Sequence, residues 1–383
     1  MYSIFIKIQN IFAKSILFSL KYLYNYIGFI LIMLEHLKRK KKNIIILASM
    51  AVALITLFVI SLFVGSSSMK FKDAFFALFG KGQNNYIIIM QNIRLPRAIA
   101  ALFVGAGLAI AGLIMQTTLG NEMASPSTLG VSNAATFGAN VSIIGFAGGF
   151  LATGNNIANY FAQSNVFATS AVAFIFALVS VLLTLGLSRL RGMTKDTLIL
   201  AGIAMGAMWT ALTSLMQFYA TDVSLSAAVV WSFGDLSRAT YKIDAIIASI
   251  VIVSSVGFGI LSNKYNAMLS GDDMAKSVGI KTESFRFISL LIASLITAIC
   301  IANLGIIGFV GIVCPHIAKR IFGHDHKLTI PGSILIGGIL LLLADTLART
   351  VGNGSAIPVG IITSLVGAPF FLYIIFRRRK VNA

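Results

Sequence analysis

Asp272 and Asp273 stand side by side in Gly271-Asp-Asp-Met-Ala-Lys-Ser-Val-Gly279, a polar break between two long apolar runs. Two adjacent acids could trade protons or hold a cation, but their surroundings describe a helix end. An Asp at a helix start accepts hydrogen bonds from the unpaired first N–H groups. A second acid in the first turn suits the positive end of the helix dipole. Lys276 follows Asp272 by four residues, a favourable helical pair, and Gly279 suits the left-handed residue that closes a helix. Met274, Ala275 and Val278 give this helix of barely two turns an apolar face. So short a helix needs a surface to lie on, either this chain's own or a partner's.

The second charged constellation is Arg94-Leu-Pro-Arg97, and the third is Asp345 with Arg349 one helical turn later. Asp345 is the one acid well inside an apolar run, so an ion pair with Arg349 is expected there rather than a proton relay, which weakens an ion-coupled carrier. Cys314, His316, His324, Asp325 and His326 include soft and imidazole ligands that bind transition metals. Their spacing fits no familiar site, and a packed, hydrogen-bonded loop is the better expectation. No Gly-x-x-x-x-Gly-Lys-Ser/Thr loop, His-Glu-x-x-His helix or Gly-x-Ser-x-Gly elbow occurs, so the familiar routes to ATP binding, zinc hydrolysis and serine catalysis are closed. No resident metal or cofactor is expected, and no catalytic residue.

These groups must be positioned in lipid. Of 383 residues 57% are hydrophobic and 11% charged, with mean hydropathy +0.91, against about 25% charged in a soluble domain. The net charge of +18 gathers at the ends of apolar runs, as a membrane protein requires, and no nucleic-acid motif accompanies it. Residues 1–43 form a basic N-terminal extension, within which Lys7, Lys14 and Lys21 recur on one helical face. Residues 1–32 read either as an amphipathic surface helix or as an upstream segment before a start at Met33. Apolar spans follow at about 44–65, 97–118, 129–151, 166–188, 197–219, 243–262, 286–303, 305–321, 332–349 and 357–376. The expected architecture is an all-α polytopic membrane protein of about ten transmembrane helices in one domain, 44–380, with a polar loop at 264–284.

An even number of spans places both termini on one side. With that side cytoplasmic, inner segments carry 19 bases and outer ones 8, which fixes the orientation by the positive-inside rule. The Asp272 stretch then faces the cytoplasm, while Arg94, Arg97 and Arg349 face outward, against the charge trend. A positive outer surface suits an acidic partner. Small residues crowd two spans, Gly105 to Gly112 and Gly202 to Ala207, as close helix packing in lipid requires.

Several blocks together resemble the FecCD-type permeases, the membrane subunits of ABC importers for iron–siderophore complexes, haem and vitamin B12. They are Arg94-Leu-Pro-Arg97 through Gly112 and Gln116, Ala124-Ser-Pro-Ser-Thr-Leu-Gly-Val-Ser132, Leu200-Ala-Gly-Ile-Ala204, Trp231-Ser-Phe-Gly-Asp-Leu236, Ile307 to His316, Asp325-His326, Leu343-Ala-Asp-Thr-Leu-Ala-Arg349 and Pro358 to Phe371. The loop at Asn121-Glu-Met-Ala124 departs from the family's usual Asn-Pro-Leu-Ala, and Trp231-Ser-Phe-Gly varies the usual Trp-x-x-Gly-Ser block. The resemblance implies a type II ABC importer permease fold in the cytoplasmic membrane. Its partners would be a second permease subunit (the same chain or a paralogue), two ATPase subunits that handle ATP and magnesium, and an extracytoplasmic binding protein. By the same resemblance Arg94, Arg97 and Arg349 would receive carboxylates of the binding protein. Gly271, Asp272, Asp273, Met274, Ala275, Val278 and Gly279 would form the element that couples to the ATPase. The cargo path would run past Met205, Met208, Trp209, Ser214 and Gln217, although a stripe of Met and aromatic residues is more often packing. A ferric siderophore is the expected cargo. A corrinoid or haem cargo is the alternative within the class, and an ion-coupled carrier the alternative outside it.

Overall fold

The computed structural model describes residues 38–65, 69–146, 165–351 and 356–376. The basic extension through residue 37, the end of the third expected span and the C-terminal bases at 377–380 lie outside the described residues. By compactness the chain divides into residues 1–50 and 51–383.

Among the described residues every regular element is helical. They are α1 (Lys38–Phe63), α2 (Phe71–Leu78), α3 (Asn84–Leu119), α4 (Val131–Asn140), α5 (Val166–Arg189), α6 (Lys195–Phe218), α7 (Asp222–Ser232), α8 (Tyr241–Ile260), α9 (Ser262–Leu269), α10 (Asp272–Ser277), α11 (Thr282–Leu304), α12 (Val310–Phe322), α13 (His326–Val351) and α14 (Val359–Phe376). Each of the ten expected spans overlaps one of these helices. Seven are long and apolar enough to cross a membrane: α1, α3, α5, α6, α8, α11 and α13. The others fall short for visible reasons. Beyond α4 the chain continues in a wider π-turn over Val141–Phe146. The eighth expected span begins late, because Gly305 to Phe309 is not helical and Phe309 itself takes a left-handed φ of 64°; α12 is therefore a short helix of 13 residues. The short α7 was not expected, although Thr221 caps it from its side chain and Asp222 opens its first turn.

α3 is the axis of the bundle. Its apolar window is 83% buried, the highest of the seven candidate spans, and α8, α11, α12 and α13 all pack on it. The small residues make this possible. A Cβ on Gly105 would collide with the Gly337 carbonyl of α13, and one on Gly112 with the Gly311 carbonyl of α12. Backbones in such contact gain dispersion energy along their length, the main attraction available between helices in lipid. In α6, Gly202 and Gly206 likewise pack against Thr128 and Asn133, while Ala204 and Ala207 are exposed.

Pro315 lies inside α12 rather than breaking its first turn. Its missing N–H frees the carbonyl four residues earlier. That carbonyl, of Gly311, accepts a hydrogen bond from Gln116 Nε2 of α3 at 3.3 Å, and Gln116 Oε1 in turn accepts from Lys319 Nζ at 2.8 Å. The break in one helix is thus mended by the side chain of another.

Candidate functional site

Buried arginine sits at both ends of the α-helical part of α3, Leu95–Leu119. From Arg97 to Thr118 the helix rises about 31 Å at 1.5 Å per residue, close to the roughly 30 Å of a bilayer core.

At the first end Arg94, Arg97 and Arg349 lie together, and they face inward. Their exposures are 4%, 3% and 7%. Asp345, which is fully buried, takes Arg97 Nε on one carboxylate oxygen at 2.5 Å and Arg349 Nε on the other at 2.9 Å. The expected Asp345–Arg349 pair is therefore present and widened into a triad. Arg97 also reaches toward Asp235 at 3.9 Å, a carboxylate that is part-exposed. The other two arginines close the end of α1. Arg94 Nη1 donates to the Leu62 and Phe63 carbonyls at 2.9 and 3.3 Å, and Arg349 donates to the Ser61 and Val64 carbonyls at 3.0 and 3.2 Å. Helix ends leave their last carbonyls unpaired and carry partial negative charge, so two guanidiniums there answer both deficits. Around this end Lys70, Lys72, Lys81 and Lys242 are exposed. Nearby, Arg238 stacks over the Trp231 ring with its guanidinium carbon 5.9 Å from the centroid.

At the other end lies the short helix α10, where the Asp272 stretch was expected to form one. Two details of the expectation are corrected. Gly271, at φ 106°, is the capping position, and no side chain caps the helix. Asp272 turns away from the helix N–H groups because a stronger donor, Arg286 Nη2, lies 2.8 Å from each of its oxygens. Lys276 lies against Asp273 at 4.0 Å rather than making its contact with Asp272. The close of the helix is as expected: Gly279 has φ 83°, its N–H donates to the Lys276 carbonyl, and the Ile280 N–H donates to that of Ala275. This is the Schellman arrangement, which needs a left-handed residue at the glycine position.

The three apolar residues of α10 divide. Ala275 is buried, whereas Met274 and Val278 are 58% and 64% exposed on the side away from the protein. Asp273 is exposed beside them. For Asp272, partial burial works against ionisation, but the Arg286 hydrogen bond and charge, with Lys195 and Lys276, outweigh it and hold the carboxyl below its ordinary range.

Arg286 is the residue that sequence reasoning counted only as an inner charge. It is 2% exposed and fans across three elements. Its Nε donates to the Thr118 carbonyl in the last turn of α3 at 3.0 Å, and Nη1 to the Met193 carbonyl between α5 and α6 at 2.8 Å. Nη2 takes Asp272. The signal available in the sequence was a single Arg opening an apolar run soon after an acidic pair.

Among the described residues no three metal-ligating side chains come together; Cys314 and His316 lie inside α12, and His326 opens α13. His326 is buried, its Nδ1 donates to Asn266 Oδ1 at 2.8 Å, and its Nε2 lies 2.8 Å from Thr117 Oγ1. Asn266 also holds Asp325, so the hydrogen bonds gather at Asp325 and His326, at the turn into α13, whereas Cys314 and His316 stand in a helix and not in the loop expected from the spacing. Tyr265 stacks on the His326 ring and bonds Ser289, with its phenol pushed by burial up to about 12.

The five path residues separate into two kinds. Met205 and Trp209 are buried in a cluster with Ala134, against Phe137 and Phe176, and Trp209 Nε1 donates to Ser180 Oγ at 2.9 Å. Gln217 reaches Asn140 at 3.1 Å. Met208 and Ser214 lie on the open side of α6. Elsewhere, Ser125, Ser127, Ser132, Asn133 and Thr297 line a part-polar cavity of about 260 Å³, into which the 124–132 and 307–316 blocks both reach.

Residues 23–377 match the FecCD transport family. The chain belongs to that family. Its FecCD relatives include a Methanocaldococcus jannaschii protein described as an ABC transporter permease, 44% identical over 333 residues, covering 86% of this chain and 94% of the relative. The Fe(3+)-citrate import system permease of Bacillus subtilis is 34% identical over 345 residues, covering 90% and 98%. The hemin transport system permease of Yersinia pestis is 34% identical over 296 residues, covering 76% and 84%. A solved structure described as an inward-facing metal-chelate type ABC transporter superposes with a TM-score of 0.73 at 25% identity, over 88% of this chain and all of that one. This FecCD chain is therefore a multi-pass permease subunit of the ABC type.

Proposed function

We propose that this chain is the membrane-spanning subunit of an ATP-driven importer that carries an iron chelate, a ferric siderophore, inward across the cytoplasmic membrane. The observation that carries the reading is the FecCD match across almost the whole chain, from residue 23 to 377. In this reading the Asp272 end is cytoplasmic, as are both termini, and the arginine triad lies outside.

A second permease subunit, the same chain or a paralogue, completes the path, and ATP with magnesium is handled by two partner ATPase subunits. α10 is the contact to one of them. Met274 and Val278, exposed one helical turn apart, offer an apolar ridge for a groove of that partner. Helix-in-groove recognition uses such i, i+4 anchors. At the other end an acidic extracytoplasmic binding protein docks. Arg94, Arg97 and Arg349 are buried, so they act there through the field of three positive charges on one fully buried carboxylate, extended to the surface by Lys70, Lys72, Lys81 and Lys242. Met208 and Ser214, open on α6, face the path in the assembled pair.

A haem or corrinoid cargo is the second reading, because the hemin permease of Yersinia pestis and a Halobacterium salinarum cobalamin import permease, 33% identical over 297 residues, are also relatives. Reconstitution with the ATPase and binding protein in vesicles tests both. ATP-dependent accumulation of a ferric hydroxamate or ferric citrate chelate is the expected result. Accumulation of haem or cobalamin instead would replace the cargo, and uptake driven by an ion gradient without the ATPase would overturn the importer itself.

A further inference from the structure

Only two side chains of α10 face the rest of the protein. Ala275 is buried, Asp272 is part-buried, and Asp273, Met274, Lys276 and Ser277 are exposed. Ala275 makes an apolar contact without preferred direction. Asp272 is directional, and its strongest partner is Arg286, with Lys195 at the start of α6 farther off at 3.8 Å.

Arg286 has two other commitments that α10 does not share. The Thr118 carbonyl it holds is a leftover of helix closure. The Gly120 N–H bonds the Thr117 carbonyl and the Asn121 N–H that of Gln116, which leaves Thr118 for a side chain to satisfy. The Met193 carbonyl belongs to a buried non-glycine residue at φ 54°. That conformation is strained in an L-residue and has to be held by its surroundings. A guanidinium is planar and presents its donors at fixed angles, so three bonds in one plane fix three elements relative to one another. An ammonium would tether them without setting the angles.

We propose that Arg286 is the joint through which displacement of α10 reaches the axis of the bundle, α3, together with the turn between α5 and α6. The proposal rests on α10 being the ATPase contact. Removing the joint leaves the partner free to bind and hydrolyse ATP while the bundle no longer follows.

The test uses the permease–ATPase assembly in nanodiscs. Nitroxides are placed on Arg191→Cys, in the α5–α6 turn, and Ser226→Cys, on α7; both positions are exposed. The native thiols Cys300 and Cys314 are buried, so the two introduced cysteines take the label. ATP is expected to shift the Arg191–Ser226 distance in the otherwise unmodified assembly. Arg286→Lys should abolish that shift, and Asp272→Asn, an isosteric change at a part-exposed site that keeps the fold, should reduce it at least twofold. In both, distance shift per ATP hydrolysed should fall while the ATPase still co-purifies. A full shift in Asp272→Asn, or no shift in the unmodified assembly, overturns the joint. Loss of the ATPase from Asp272→Asn also overturns it, because Arg286 would then only shape the docking face. The docking reading has its own arm: co-purification that survives Met274→Asp with Val278→Asp refutes the contact on α10, whatever Arg286 does.

Discussion

The two ends of the α-helical part of α3, Leu95–Leu119, both bury arginine but with different charge balances. At the Arg97 end two of three guanidiniums, Arg97 and Arg349, share one fully buried carboxylate, with Asp235 at the edge, and Arg94 and Arg349 donate to the carbonyls of α1. At the Asp272 end one guanidinium faces one part-exposed carboxylate and two carbonyls. The first end is locked in and carries surplus positive charge. The second is balanced and has one partner on a surface helix. Removing a counter-ion from a buried cluster leaves an uncompensated charge and costs far more than an exposed pair contributes. The Arg97 end should therefore behave as a fixed electrostatic feature, and the Asp272 end as a movable contact.

The largest expected effect tests the first half of that contrast. Asp345→Asn should strip Arg97 and Arg349 of their counter-ion and lower stability by about 3–5 kcal/mol, the range for breaking a buried ion pair. A thermal unfolding midpoint in detergent close to that of the unmodified protein would mean the triad is solvated. Next, Gln116→Leu should cost about 1–3 kcal/mol by leaving the Gly311 carbonyl freed by Pro315 without its donor. The same melt, with Lys319→Met beside it, separates the loss of that bond from the loss of Lys319's acceptor. Gly279→Ala should cost about 1 kcal/mol, the strain of a side chain at φ 83°. The effect should be local to α10, so hydrogen exchange at Ile280 should quicken while the core of α3 stays protected.

The smallest effect concerns pH. Asp272 is held below its ordinary carboxylate range, so its contribution is present above the unfolded value of about 3.9 and is lost as pH falls through the lower folded value. Exchange protection of α10 should hold through mildly acidic solution and fall away below about pH 4. Asp272→Asn should flatten that dependence, and a profile unchanged by the substitution would assign it to another group.

The bundle was legible in the sequence because lipid imposes a simple rule: a helix must be long, apolar and marked at its ends by charge. Where that rule is relaxed the reading fails. α12 starts five residues late because Gly305 to Phe309 is apolar without being helical, and hydropathy cannot tell those two states apart. α7 was passed over because eleven residues are too few for a span, although Thr221 and Asp222 signalled a helix start. The Asp345–Arg349 pair could be seen from a spacing of four. The inward turn of Arg94 and Arg349 could not, because both also donate to backbone carbonyls at Ser61 to Val64, and a carbonyl has no letter in the sequence. Arg286 escaped for the same reason: two of its three partners are main-chain atoms. Residues that act on backbone are the ones composition and motif leave dark.

The packing of Trp209 and Trp231 has a consequence for observing the protein at work. They are its only tryptophans. One indole is enclosed by Phe137 and Phe176 with its N–H on Ser180; the other lies under the Arg238 guanidinium close to the arginine triad. The two chromophores therefore emit from unlike surroundings, an apolar aromatic box and the edge of a cationic cluster. Trp209→Phe and Trp231→Phe would each leave a single native fluorophore, so the emission maximum becomes an optical readout of one region at a time, with no dye attached.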